Sequence, residues 1–535
     1  MRIEDFRQTD NGSVHADLCI VGSGPAGLTI AKEFGGSVVD VLILESGGLD
    51  EDPKIDTLSE FESIGAARIM EPTLVRNRIF GGTSHSWSGR CAPFDDIDFQ
   101  TRPWVPFSGW PIQGKQLVPH FERAMSYLGL GANRYDASLW TLLGRMQPNL
   151  DVDMRLLKPV FWQFSKDAKD PLDYMRFGRR FLSAMPTNVR VLLHATAIEI
   201  RTDQTGTKLD SLEIRSPEGK RATVKPRALV LCAGGIENAR LLLSSNRGES
   251  AGVGNRYDVV GRFLMDHPRF TLAEFEPLNS RIILDRYGLY RLSRELGGHS
   301  FQNGLGLSPD LQRNLSLLNC AAWFSEDRSP DDPWDAVKRL LTGRDRDIVR
   351  DIRHIMCQPH FILEGLHRRF VRRQEVRHKL KQLRLDCVVE QRPDPDSRVR
   401  LSRRVDPLGV PLPQVDWKVS EQEKRTVATL GRVISGEFKR IGLPLPILSE
   451  WIRIDRPDQA EFIDAAHPTG TTRMSTDPRH GVVDQNCRVH GLDAIFIAGS
   501  SIFPTSSHAN PTLMIVALAI RLADWLKTHI FHPTT

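Results

Sequence analysis

The sequence predicts a mixed α/β and α+β fold, in which a Rossmann-like nucleotide-binding domain alternates along the chain with a second domain built on an antiparallel sheet. The first domain is predicted by strand–glycine–helix patterns at residues 17–45 and 227–245. The second is predicted by residues 385–418, where short apolar runs are punctuated by Pro and Gly. A chain of 535 residues is long enough for both domains to bury substantial cores.

The N-terminal pattern has the order of elements that binds a dinucleotide. An apolar strand leads into Gly22, Gly24 and Gly27, which form G-x-G-x-x-G at the turn into a helix. These glycines permit a tight turn, close approach of the backbone to a pyrophosphate, and close packing of helix on strand. A second apolar strand ends at Glu45, at the spacing of an acid that hydrogen-bonds a ribose 2′-OH. The motif alone does not separate FAD from NAD.

Two further segments favour FAD. Residues 80–90, FGGTSHSWSGR, form a loop rich in glycine and hydroxyl groups, far from the first strand–helix unit. Residues 227–245 repeat the strand–glycine–helix pattern, with Gly234 and Gly235 at the turn. Taken singly, each segment can also be an ordinary loop or α/β connection.

The C-terminal region carries the candidate chemistry. It contains AAHPTGTTRM at 465–474, and then an apolar strand, a polar loop and a long apolar helix within 496–526. Pro511 is predicted at the first helical position and Asn510 at the N-cap. A histidine base at His467, an amide and a positive helix end suit the oxidation of an alcohol.

The motifs together resemble those of the glucose–methanol–choline (GMC) oxidoreductase family, which binds FAD and oxidises alcohols. They are similar to the branch that holds pyranose 2-oxidase, fructose and gluconate dehydrogenases and glycoside 3-dehydrogenases. The matching segments are VGSGPAGLTIAKEF with Glu45, GGTSHSWSG, LCAGGIENARLL, VGRFLMDHP, EQRPDPDSRVRLS, HPTGTTRM and SSHANPTLMIVALAIRLAD. The resemblance implies the fold of that family, with a discontinuous substrate domain.

The resemblance places the catalytic base on His467 and the second active-site residue on Asn510. It implies that His467 takes the hydroxyl proton while hydride passes to flavin N5, and that Asn510 holds the substrate oxygen. The helix after Pro511 would face the flavin pyrimidine ring. His508 is a second candidate for a catalytic role, but the register against Pro511 and Thr512 favours Asn510.

The resemblance also implies the cofactor contacts and their chemistry. Some relatives tether FAD through a histidine directly before the tryptophan of the glycine-rich loop, where this chain has Ser86 before Trp87 and His85 one residue early. Non-covalent FAD is therefore predicted. His267 is expected to serve internal hydrogen bonding. The predicted contacts are Gly22, Gly24, Pro25, Ala26, Gly27, Glu45, Ser46, Gly81, Gly82, Thr83, Ser84, Trp87, Ser88, Ala197, Ala233, Gly234, Gly499, Ser500, Asn510, Pro511 and Thr512.

The predicted domains interleave along the chain. Residues 188–203 read as paired strands, with Ala197 against the adenine by resemblance, and 420–442 read as a helix with Ser420 as N-cap. The boundaries are 1–110 for the first part of the FAD domain, 111–189 for a cap or substrate segment, 190–270 for the second FAD part, 271–454 for the substrate domain, and 455–535 for the third FAD part.

Composition is that of a globular enzyme. Seven scattered cysteines without C-x-x-C indicate no disulfide framework or metal site, and the N-terminus has no secretory pattern, so a cytoplasmic location is expected, with export on a partner subunit as the alternative. Net charge is only +5, which argues against nucleic-acid binding. The cations between Arg368 and Arg384 are predicted on a helix. They form either a solvated face or a docking surface for an acidic electron-acceptor protein or an anionic membrane; they are Arg368, Arg369, Arg372, Arg373, Arg377, Lys379, Lys381 and Arg384.

The favoured function is oxidation of a CH–OH group, on a secondary hydroxyl of a sugar or glycoside, to a carbonyl. The alternatives are a lyase of the same fold with structural FAD and an oxidase of a non-sugar primary alcohol. Oxygen or another acceptor would reoxidise the flavin. The sequence leaves open the substrate, the acceptor and whether the chain forms oligomers.

Overall fold

The computed structural model describes residues 2–9, 12–68, 71–144, 146–148, 151–167, 174–291, 299–343, 347–372 and 376–532. The strands are β1 Arg2–Asp5, β2 Ser13–Val21, β3 Val41–Leu44, β4 Glu62–Ser63, β5 Arg90–Cys91, β6 Leu157–Phe164, β7 Val189–Leu193, β8 Thr196–Thr202, β9 Leu209–Arg215, β10 Arg221–Leu231, β11 Arg269–Phe275, β12 Leu289–Arg291, β13 Ser300–Leu307, β14 Cys320–Arg328, β15 Leu380–Val389, β16 Arg398–Val405, β17 Pro411–Asp416, β18 Ile447–Leu448 and β19 Ile495–Ile497. The helices are α1 Pro25–Glu33, α2 Pro53–Asp56, α3 Pro72–Val75, α4 Asp96–Phe99, α5 Val118–Leu128, α6 Ser138–Leu142, α7 Phe177–Leu182, α8 Gly234–Ser244, α9 Ser280–Tyr287, α10 Pro309–Leu315, α11 Pro333–Thr342, α12 Ile348–Cys357, α13 Pro359–Phe370, α14 Glu421–Arg440, α15 Glu450–Arg453 and α16 Thr512–His529.

The first sheet is the nucleotide-binding sheet. Its strand order is β1-β7-β3-β2-β10-β9-β8, with β19 also paired to β10. The pairs from β1 to β10 and the β10–β19 pair are parallel, whereas β9 and β8 are antiparallel. The prediction that 188–203 form paired strands is wrong, because β7 lies between β1 and β3 while β8 pairs with β9. Both segments are strands, but their partners come from distant parts of the chain.

The second sheet is antiparallel and has the order β18-β11-β15-β14-β13-β6-β5, with β12 on β13. The predicted strands of 385–418 divide between two sheets. Their first residues complete β15 in this sheet, and β16 and β17 form a hairpin that pairs with β4 in a small third sheet. Local alternation predicts strands, but it carries no information about which sheet they join.

Apolar helices cover the two large sheets. The buried face of α16 packs with α1 and α5 in the core of the first sheet, and α14 packs on the second sheet. The prediction for α14 is confirmed: Ser420 is its N-cap and forms a capping box with Glu423. None of the described helices combines the length and apolar character that a bilayer crossing requires.

The basic segment does not form the predicted helix. Helix α13 ends at Phe370, and the later cations of the segment lie in a connection and on β15. Arg368 and Arg377 are buried and form ion pairs with Asp285 at 2.6 and 2.7 Å. Arg373 lies outside the described residues. The later part of the segment forms strand β15, and two of its arginines pair with Asp285, which explains why the local helix pattern does not predict the structure.

Candidate active site

A cavity of about 470 Å³ lies at the carboxyl ends of β2, β3 and β10. This edge is where open α/β sheets bind their ligands. The cavity is lined by His467, by Asn510 and by every predicted cofactor contact except Gly27 and Gly81. His508 does not line it. The structure thus brings together in one chamber residues from both ends of the sequence.

The glycine turn after β2 has the shape that a dinucleotide requires. Gly22 has φ +100°, a conformation that favours glycine. A Cβ on Gly27 would lie 2.0 Å from the Gly22 carbonyl oxygen, so Gly27 shapes the turn from behind. A Cβ on Gly24 would meet nothing within 4 Å, which leaves open space beside the backbone at the start of α1. The cradle fits a pyrophosphate at a helix N-terminus.

Glu45 braces this turn from the end of β3. Its carboxylate accepts hydrogen bonds from the Ser23 N–H at 3.1 Å, the Ser23 hydroxyl at 2.5 Å and the Gly47 N–H at 2.9 Å. Burial raises the pKa of Glu45, although these hydrogen bonds oppose the rise. Glu45 also lines the cavity, as a ribose-binding acid would.

The loop of residues 80–90 closes over the same turn. The Gly81 N–H donates to the Ser23 hydroxyl at 3.1 Å, so Gly81 positions the loop without lining the cavity. Trp87 lines the cavity, and its indole N–H donates to the Met175 carbonyl at 2.8 Å. The His85 Nε2 lies 3.3 Å from the Phe80 carbonyl oxygen, and His85 does not line the cavity.

His467 is paired with a second histidine. Its Nδ1 lies 2.9 Å from the Nδ1 of His267, whose Nε2 lies 3.1 Å from the Ser506 carbonyl oxygen. A carbonyl only accepts, so neutral His267 must protonate Nε2 and must accept at Nδ1. His467 then carries its proton on Nδ1. The Nε2 of His467 is left with a lone pair, as a general base requires.

Asp266 anchors the backbone on either side of this pair. Its carboxylate accepts from the N–H of His267 at 2.7 Å, of Ala465 at 3.2 Å and of His467 at 3.0 Å. It also forms an ion pair with buried Arg68. Burial alone would raise the pKa of Asp266, but the Arg68 charge and the hydrogen bond from the His267 N–H lower it. The ionised carboxylate therefore holds the loop that carries His467 in place.

The surroundings of His467 keep it neutral. Burial first, and then His267, lower the pKa of His467 to about 3, despite the opposing effect of Asp266. Arg68 and Arg90 act in the same direction as His267. An imidazole with this pKa is in its base form throughout the neutral pH range.

Asn510 stands at the start of α16, but it is not the cap. The helix begins at Thr512 with Pro511 as N-cap, and the Ile515 N–H donates to the Pro511 carbonyl at 2.9 Å. The predicted start is thus wrong by one residue. Within the described part of the chain, the Asn510 amide makes no hydrogen bond, and it lines the cavity. The amide is available to a ligand because it does not cap the helix.

His508 is turned away from the cavity. It is 2% exposed, and its Nε2 lies 3.1 Å from the Asp95 carboxylate. Asp95 also forms an ion pair with Lys158. Burial opposes ionisation, yet Lys158 and His508 hold the pKa of Asp95 well below its ordinary value. This placement supports a structural role for His508. Asp95 links the loop before α16, which carries His508, to Lys158 on β6.

Sequence reasoning missed three residues of the site. His267 was expected only to form internal hydrogen bonds, which it does, but its partner is the proposed base. Asp266 precedes it in the quoted VGRFLMDHP motif, and an acid and a histidine side by side could have drawn attention. Arg90 had no local signal, although it ends the glycine-rich loop and lines the cavity.

The parallel sheet, the glycine cradle and the buried histidine pair define a nucleotide-dependent oxidoreductase. Profiles described as GMC oxidoreductase match residues 178–269 and 393–519. Two regions of this chain thus match GMC oxidoreductases, and the chain is an FAD-dependent oxidoreductase. The family and fold class predicted from the sequence are confirmed.

Individual relatives have low sequence identity to this chain, but some of them align with most of its length. The 6'''-hydroxyparomomycin C oxidase of Streptomyces lividus is 23% identical over 96% of this chain and 92% of its own. The fructose dehydrogenase large subunit of Gluconobacter japonicus is 24% identical over 64% of this chain and 55% of its own. A solved pyridoxine 4-oxidase from Mesorbium loti is 17% identical, with a TM-score of 0.59 over 96% of this chain and 99% of that chain, and it shares the fold.

Proposed function

We propose that this enzyme oxidises a secondary hydroxyl of a sugar or glycoside to a ketone, with His467 as the base. The observation that carries this proposal is the His467–His267–Ser506 chain of hydrogen bonds, which leaves His467 Nε2 as the acceptor beside the cavity. The relative named for fructose supports a sugar.

The residues of the cavity fit FAD. The glycine turn and the start of α1 would hold the pyrophosphate, Glu45 the ribose, and the start of α16 the pyrimidine end of the flavin. Bound FAD would supply the two-electron acceptor, which takes hydride at N5.

The chain's own residues then have separate tasks. The Asn510 amide would donate to the substrate oxygen and orient the carbinol carbon. His467 Nε2 would take the hydroxyl proton, and the partner His267 keeps the receiving nitrogen in its basic tautomer. The N–H groups at the start of α16 would stabilise negative charge in front of them.

Anaerobic mixing with a panel of sugars, glycosides and polyols tests the proposal. We expect bleaching of the flavin band near ~450 nm by at least one sugar class, because substrate electrons reduce the cofactor. A yellow colour that persists with every alcohol would favour the lyase with structural FAD. Bleaching by simple primary alcohols alone would favour the non-sugar oxidase. Reoxidation of the reduced enzyme by oxygen or by a dye acceptor separates oxidase from dehydrogenase.

We propose that FAD is held without a covalent bond. Ser86 lines the cavity next to Trp87, while the His85 ring faces the Phe80 carbonyl. Acid precipitation should therefore release all yellow colour into the supernatant. Flavin that remained in the washed protein pellet would contradict this.

A further inference from the structure

A second cleft, of about 1610 Å³, lies over one face of the antiparallel sheet. Strands β11, β13, β14 and β15 contribute to its walls. Arg90 lines both this cleft and the cofactor cavity. Its charge is also felt by His467. The cleft, here called the cationic cleft, therefore shares the Arg90 side chain with the cofactor cavity.

Positive charge dominates the lining of the cationic cleft. Among the described residues that line it, twelve are arginine or lysine and three are aspartate or glutamate. Some of the cations are neutralised locally, such as Arg269 by Asp386 and Arg368 by Asp285. A cleft with low-dielectric walls and charge of one sign concentrates ligands of the opposite sign.

Arg90 lines both cavities, and no carboxylate of the described residues forms an ion pair with it. Its guanidinium lies 4.6 Å from the centroid of Trp323 and 5.1 Å from that of Trp162. One hydrogen bond, to the Gln302 amide oxygen at 2.9 Å, is its polar contact within the described chain. Burial, and then Arg269, lower the pKa of Arg90 to about 10. The aromatic rings thus orient the Arg90 guanidinium, which is partly removed from water and carries several N–H donors.

Two further arginines extend this lining, and neither forms an ion pair with a carboxylate in the described part of the chain. Arg384 on β15 faces the cleft, and its Nε is buried with no hydrogen-bond partner among the described atoms. Arg291 at the end of β12 also lines the cleft, and no acidic side chain of the described residues pairs with it. Unpaired buried donors are costly, unless a ligand supplies the acceptor.

We propose that the substrate is an anionic sugar or polyol, bearing a carboxylate or a phosphate, and that Arg90 binds this anion at the junction of the two cavities. The proposal rests on the proposed function above and names its substrate class. A planar guanidinium accommodates either group through paired N–H donors. Neutral sugars would lose that contact, and amino sugars would also be repelled by the cationic lining.

Anaerobic rapid mixing of the holoenzyme with sugars that differ mainly in charge tests the proposed anion site. The probes are methyl glucoside with methyl glucuronide, and glucose with glucose 6-phosphate and glucosamine, together with their galacto and manno counterparts. We expect the second-order rate of flavin reduction to be about tenfold or more higher for one of the anionic probes than for its neutral counterpart, the usual value of a charge-assisted hydrogen bond. This preference should weaken when salt is raised from about 50 mM to about 500 mM.

Variants locate the anion. Arg90→Gln should lower the anionic-to-neutral rate ratio about tenfold or more, and Arg90→Lys should restore part of it. Arg400→Gln is the matched control, because Arg400 is exposed and lines neither cavity. A ratio near one in the native enzyme, or a ratio that Arg90→Gln does not change, would overturn the proposal while leaving sugar oxidation intact.

Binding of the anion is measured separately from oxidation of the sugar. Glucuronate and inorganic phosphate are titrated into the holoenzyme, and the flavin absorption spectrum is followed. Saturable perturbation that Arg90→Gln weakens supports the anion site, and its absence argues against the site. Failure of all probes to bleach the flavin contradicts the proposed sugar oxidation instead, so the two failures are distinguishable.

Discussion

Replacement of His467 by alanine is expected to slow anaerobic flavin reduction by about 10²–10⁴-fold, the usual contribution of a general base. The reason is structural: His467 Nε2 is the ring nitrogen that the His267 pair leaves with a free lone pair. The measurement is the limiting reduction rate at saturating substrate, with FAD content checked by absorbance. Asp266 continues to anchor the loop through backbone N–H groups, which the substitution retains.

The control for this variant is His480→Ala. His480 is exposed and lines neither the cofactor cavity nor the cationic cleft. Its reduction rate should equal that of the native enzyme. A His467→Ala enzyme that keeps full FAD content and the native reduction rate would remove His467 from the base role.

A companion variant, His267→Leu, tests the origin of the neutral base. In the native enzyme the base form persists down to about pH 3, so reduction should not lose rate to protonation of His467 between pH 8 and 5. The variant removes the acceptor of the His467 Nδ1 proton. At acid pH it also removes the positive charge of protonated His267, which lowers the pKa of His467. The pKa of His467 should then rise, and the acid limb of the reduction rate should move to higher pH. A lower rate with an unmoved pH profile would indicate a packing role only.

The second large effect is expected at Gly27. In Gly27→Ala the new Cβ would lie 2.0 Å from the Gly22 carbonyl oxygen, and neither backbone can yield without opening the turn. Overpacking typically costs about 1–3 kcal/mol in the free energy of unfolding, and occasionally more. The variant should therefore unfold at lower temperature and purify with little FAD. Both quantities are measured directly, by thermal unfolding and by the ratio of flavin to protein absorbance.

Two glycines serve as controls for Gly27. Gly436 lies inside α14, and a Cβ there would meet nothing within 4 Å, so Gly436→Ala should be neutral or stabilise by about 0.5–1 kcal/mol. Gly24→Ala also adds its Cβ to open space, but inside the cofactor cavity. It should keep the stability of the apoprotein and weaken FAD binding. Native FAD content and native stability in Gly27→Ala would contradict the proposed role of the turn.

Local patterns predicted the parts of the molecule in which each residue's neighbours in sequence decide the structure. The turn at Gly22, the strand of residues 41–44 and the capped helix after Ser420 all appear as predicted. The helix closes its hydrogen bonds within a few residues, so residue type and spacing suffice there. The strand is predicted from its apolar run, although its partners β2 and β7 lie far away in the sequence. The start of α16 was misplaced by one residue because Pro511 suits either position at a helix end.

Local sequence patterns predict only part of the chemistry of the site. Residue patterns along the chain predict an α/β nucleotide-binding fold, a family and the candidates His467 and Asn510. Tertiary structure decided which nitrogen of His467 is basic, because the residue that controls it, His267, lies 200 positions away. It also decided the charge of the cleft, whose arginines come from strands that no local pattern brings together. Tautomers and electrostatic fields depend on distances through space, and a linear pattern records only distances along the chain.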